Sequence, residues 1–186
     1  MSVFVLPQST VKEVEKLFRG FLWGISGNRS KLHLASWQQV VNAHLLTRDN
    51  LIRFNLQMNS LLCHVCDGYI ESHNHLFFEC CLSKMILNLI FSWIGFKAWP
   101  SDFNGWVVWL ANGQHGTTSS ILNLVVAAVI YSIWRNRNRC VFYGYSLTVD
   151  SIAKEVINIV KYHLYIVNTR KISLQDQLFI RKLQCN

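Results

Sequence analysis

The chain has 186 residues, 51% of them hydrophobic and 15% charged, with 18 Lys and Arg against 10 Asp and Glu and a formal charge of +8. So apolar a composition, with two prolines and nine glycines, excludes a disordered tail, a collagen-like repeat and a Gly/Ser linker, and leaves one or two small domains with a core. The charge is uneven: residues 1–62 carry +4, residues 63–116 carry −2 and residues 117–186 carry +6, so a polyanion would meet the two ends before the middle.

The N-terminus, Met1 to Thr10, lacks the basic start, apolar middle and cleavage site of a secretory signal, and a reducing compartment is expected. In such a compartment a close pair among the six cysteines reads first as a metal or redox site and only then as a cross-link. Thr10-Val11-Lys12-Glu13 is a capping box, and Val11, Val14, Leu17, Phe18, Phe21 and Leu22 follow at helical spacing up to Gly24. Residues 25–30 are turn chemistry, residues 31–35 a weak strand or connector, and Trp37 to Asn55 one or two short helices.

Leu82, Met85, Ile86, Leu89, Ile90 and Trp93 recur at three and four, which predicts a helix with one buried stripe. Residues 95–120 are broken by five Gly and Pro positions and read as a connector with a short element at 106–110. Ile121 to Trp134 is apolar nearly all round and stops at Arg135-Asn136-Arg137-Asn138-Arg139, whose cations suit a helix C-terminus. That run falls short of the roughly 18 to 20 residues that cross a bilayer, so a buried helix is expected and no membrane partner. Asp150 or Thr148 caps a further helix carrying Ile152, Val156, Ile159, His163 and Val167 on one side, before a last short segment.

The chemistry concentrates in Cys63-His64-Val65-Cys66, with His75 and Cys80 downstream. Two thiolates from one tight turn, which Asp67-Gly68 suits, take neighbouring corners of a tetrahedron; an imidazole and a third thiolate close it. A closed Cys3His sphere leaves no open position for water, so the ion expected is a structural Zn²⁺. His73 in place of His75, and Cys81 in place of Cys80, are the alternatives, while His64 between the two cysteines would point away. Cys140 and Cys185 stand alone and read as packing or exposed thiols.

Leu45-Leu46-Thr47-Arg48-Asp49-Asn50-Leu51, then Cys63, Cys66, Glu71, His75-Leu76-Phe77-Phe78 and Cys80, resemble the zinc-binding domain of plant non-LTR (LINE-type) retrotransposon reverse transcriptases. Ala127 to Asn138, with Trp134-Arg135-Asn136-Arg137-Asn138, resembles the helix that follows this domain, and Leu6-Pro7, Phe21-Leu22-Trp23-Gly24, Lys31 and Trp37 resemble the end of the region that precedes it. Trp37 and Leu45 lie only eight positions apart, where the family has a long connection, so the chain resembles an internally shortened fragment.

The polymerase palm is missing: five Asp and five Glu include no adjacent acidic pair and no Tyr-x-Asp-Asp, and no P-loop or nucleophile elbow occurs. The expected protein is therefore mainly α, a small Cys3His zinc knuckle flanked by amphipathic helices, and not an enzyme. Its expected parts are 1–40, a remnant of the region after the reverse-transcriptase core; 41–95, the zinc-binding domain; 96–120, the connector; and 121–186, a C-terminal helical region. Cys63, Cys66, His75 and Cys80 are the expected ligands, and non-specific RNA or DNA binding is expected at Arg135, Arg137 and Arg139. The competing expectations are a small membrane-associated protein and an expressed remnant without selected function.

Overall fold

A computed structural model of the chain describes residues 47–53, 60–95, 100–102, 104–105, 108, 117–166 and 173–185. The helix expected over 10–24, the connector at 31–35, the segment 1–40 and most of the 106–110 element lie outside the described residues. Five helices are described: α1 (Arg48–Arg53), α2 (Cys81–Ile94), α3 (Thr117–Tyr143), α4 (Val149–Ile166) and α5 (Leu174–Cys185). A π-helical turn, His75–Glu79, precedes α2. Among the described residues the sheet pairing is one antiparallel bridge, Leu62 to Ile70, so the mainly helical architecture is as expected.

α3 is the axis of the molecule. Its apolar run from Val125 to Trp134 is buried throughout, and α2, the π turn, α4 and α5 all pack on this helix. The helix does not stop at the arginines; it runs on to Tyr143, so the cations expected at its negative pole sit within it. By length and composition it is able to cross a membrane, but 67% of its most apolar window is buried inside the protein, and Asn136, Arg137 and Asn138 are buried as well.

α2 also differs in detail from the expected stripe. Ser83, Ile86, Leu87, Ile90 and Ile94 face the core, whereas Met85 and Leu89 are exposed and Leu82 and Trp93 are half-buried. Apolar residues occupy both flanks of this helix, so periodicity alone leaves the buried face open by one position. The π turn decides it: Leu76, Phe77 and Phe78 are buried there, and the Ser83 hydroxyl donates to the Leu76 carbonyl at 2.5 Å, drawing that side of α2 inward.

Capping sets the remaining boundaries. Thr148 accepts from the Ser151 backbone N–H at 3.3 Å and starts α4, whose Ile152, Ala153, Val156, Ile159, Val160 and Leu164 are buried against α2 and α3. Ser173 accepts from the Asp176 N–H and donates to its carboxylate, a reciprocal cap that starts α5. Asp176 also accepts from Thr118 at 2.5 Å, which fastens the start of α3 to the start of α5. α2 ends on Gly95, whose φ of 73° is the left-handed conformation that glycine adopts most cheaply.

Candidate metal centre

The site begins with a tight hairpin. Cys63 N–H donates to the Tyr69 carbonyl at 2.7 Å, Glu71 N–H donates to the Leu61 carbonyl at 2.8 Å, and Asp67 N–H closes back on the Cys63 carbonyl at 2.8 Å. Asp67 takes φ 52°, the left-handed geometry expected where the chain reverses after the second cysteine. Three residues of turn thus place Cys63 and Cys66 side by side. The π turn brings up the other pair: Ser72 Oγ accepts from His75 N–H, and Cys80 N–H donates to the His75 carbonyl at 2.7 Å. A π turn contains one more residue than an α turn, and the wider spacing lets His75 and Cys80, five apart, face the same point.

The four expected side chains therefore converge. One ligand atom from each of Cys63, Cys66, His75 and Cys80 lies within 4.8 Å of every other, and Cys66 Sγ stands 3.3 Å from His75 Nε2. Around a tetrahedral zinc with thiolate bonds of about 2.3 Å, neighbouring sulfurs are about 3.8 Å apart, so this set fits the ion after small adjustments. Cys63, His75 and Cys80 are buried and Cys66 is half-buried, and none of the three cysteines is in a disulfide.

The charges fit as well. Cys80 hydrogen-bonds to the Cys63 sulfur and so draws the Cys63 thiol down to about 5, with burial opposing and the Val65 and Cys66 N–H groups assisting. The same shared proton and the same burial push the Cys80 thiol upward. All three thiols must lose their protons to hold a cation as thiolates, the one shared by Cys63 and Cys80 included.

The neighbouring candidates are used otherwise. His73 stacks on Phe77 with centroids 6.3 Å apart, and Cys81 is exposed at the start of α2. His64 turns away from the cluster to meet Arg48; burial first, and the Arg48 guanidinium second, lower its pKa and favour the neutral ring that accepts this contact.

The structure also brings together residues that spacing does not connect. Glu71, fully buried, accepts from Arg137 through Nε at 3.2 Å and Nη2 at 2.6 Å, and from the Arg48 backbone N–H at 3.2 Å. Arg48 in turn donates from Nη1 to the Leu62 carbonyl at 2.7 Å, immediately before Cys63. Arg137 lies over the Trp134 ring, 5.0 Å from its centroid, and donates to Asn138 Oδ1. Glu71, Trp134, Arg137 and Asn138 all carry the family resemblance seen in the sequence, and that was the available signal.

Of the three arginines expected to meet nucleic acid, Arg137 is almost wholly enclosed and committed to Glu71, so it presents no cation to solvent. Arg135 pairs with Glu155 of α4 at 2.5 Å while keeping 40% of its side chain exposed, and Arg139 Nη1 lies 3.9 Å from the same carboxylate. The physical reason is the length of α3: it carries these residues alongside α4 and the hairpin before it ends.

Comparison with known proteins agrees with this geometry. Residues 7–86 match the family described as zinc-binding in reverse transcriptase. A protein of Arabidopsis thaliana named as a ribonuclease H protein is 42% identical over 40 residues, 22% of this chain and 6% of that protein. The chain thus spans a small part of that relative's length, and no solved structure matches. All four converging side chains fall inside the stretch that matches this zinc-binding family.

Proposed function

We propose that the chain holds one structural Zn²⁺ through Cys63, Cys66, His75 and Cys80, and acts as a non-catalytic module of a plant LINE-type retroelement polypeptide that binds RNA or DNA without sequence preference. The convergence of three sulfurs and one imidazole within 4.8 Å carries this reading. Four protein ligands fill a tetrahedron, so the ion would supply folding free energy and no activated water. The family match over residues 7–86 and the plant relative named for ribonuclease H support the retroelement setting.

For nucleic acid the support is electrostatic. Residues 117–186 carry +6, and Arg135 keeps part of its side chain in solvent, whereas the metal segment is acidic. Backbone phosphates, read by charge alone, are the expected contacts.

Two measurements test the reading. Mass spectrometry under native conditions should find one zinc per chain, lost in Cys66→Ser; a wild type folded without metal would remove the first half. Fluorescence anisotropy with labelled RNA and DNA should show binding that weakens steeply with salt, and an affinity indifferent to salt would remove the second.

A further inference from the structure

The buried cluster Arg48–Glu71–Arg137 bears directly on the metal centre, and its role there rests on zinc being the ion held by the four ligands. Arg48 and Glu71 each bond to the hairpin that carries Cys63, and Arg137 reaches it through Glu71. Arg48 holds the carbonyl of Leu62, the residue before Cys63. Glu71 is two residues beyond Tyr69, whose carbonyl pins the Cys63 N–H, and its own N–H closes the hairpin on Leu61. Arg137, sixty-six positions away on α3, grips Glu71 with two nitrogens and is itself held by Trp134 and Asn138.

The electrostatics point the same way. Two guanidinium groups against one carboxylate leave this enclosed cluster one positive charge in excess. A zinc ion with three thiolates and a neutral imidazole carries one negative charge. Cys63 lies within coulombic reach of Arg48 and of Glu71, and in a poorly solvated interior an unbalanced charge on either side is costly.

We infer that Arg137 acts on the metal centre by charge: it neutralises Glu71 and so leaves, together with Arg48, the positive charge that balances a Cys3His zinc site. The C-terminal helices are then part of the metal site although they contribute no ligand. Partners of this kind commonly change metal affinity by about 10–100-fold when removed.

The experiment is zinc competition against a chromophoric chelator, run on the full chain with Co²⁺ absorption as a second readout. Wild type should take one zinc. Arg137→Met, which strips the cluster of its excess charge and leaves Glu71 facing the thiolates, should bind about 10–100-fold more weakly while keeping the tetrahedral Co²⁺ bands. Glu71→Gln combined with Arg137→Met restores the excess charge through Arg48 alone and should recover most of the loss. Arg137→Lys should fall between.

A purely structural ion pair predicts another pattern, in which the double variant is as weak as Arg137→Met because the pair is absent from both. That result, or an Arg137→Met that holds zinc as tightly as wild type, overturns the inference and leaves the zinc reading standing. A wild type that takes no zinc overturns both.

Discussion

Arg137 and Arg135 stand two positions apart and have opposite fates, because a helix turns them by about 200° relative to each other. Arg137 enters the interior, where only a partner such as Glu71 makes a charge tolerable; Arg135 stays at the rim and meets Glu155 in partial solvent. Glu71→Ala should therefore cost about 3–5 kcal/mol of stability, since it strands a buried guanidinium, whereas Glu155→Ala should cost below about 1 kcal/mol. Urea unfolding of the two variants measures the contrast.

At the same scale, burial lowers the pKa of His163, so the folded chain binds a proton there less readily than the unfolded chain does. Its contribution is fully present above the unfolded value near 6.5 and is lost as pH falls from there through the lower folded value. Exchanging it for an uncharged side chain in His163→Gln should flatten the fall in stability across that window, as read from unfolding midpoints at a series of pH values.

At the scale of elements, termini are written in single side chains. Thr148→Ala removes the hydroxyl that receives the Ser151 N–H at the start of α4 and should cost about 1 kcal/mol, which a shift in thermal midpoint would show. Gly95→Ala should be worse than propensity suggests. The new methyl requires φ 73° of a residue with a side chain, and it would sit 2.6 Å from Lys182 Nζ, the ammonium from α5 beside the C-terminal end of α2. That ammonium ends a flexible side chain and can swing aside, so the left-handed backbone of Gly95 carries the cost. Deletion of the π bulge is a sharper test of the metal site: removing one residue between His75 and Cys80 should abolish zinc uptake while α4 and α5 keep their caps.

At the scale of the molecule, the described residues share one hydrophobic cluster that runs from Cys63 and the π turn through α2 and α3 to α4 and α5. The connector expected as an internal boundary separates sequence segments whose side chains share that core. A fragment ending at residue 95 would keep all four metal ligands yet uncover Ile86, Ile90 and Ile94 and leave Glu71 without Arg137. Such a fragment should aggregate or lack dispersed amide signals even with zinc present, whereas the full chain should not. Size-exclusion chromatography and an amide spectrum decide between the two outcomes.

What the sequence determined alone is the metal cluster and the existence of α2, α3 and α4. Ligands three, nine and five residues apart are joined by short turns whose geometry is local, and apolar residues spaced at three and four over long stretches mark the helices. The tertiary structure decided which face of α2 is buried, where α3 ends, and that Arg137 is an internal counter-charge while its neighbour stays at the surface. Those outcomes depend on groups such as Glu71 that meet only after the chain has packed, and local spacing carries no information about a partner sixty-six residues away.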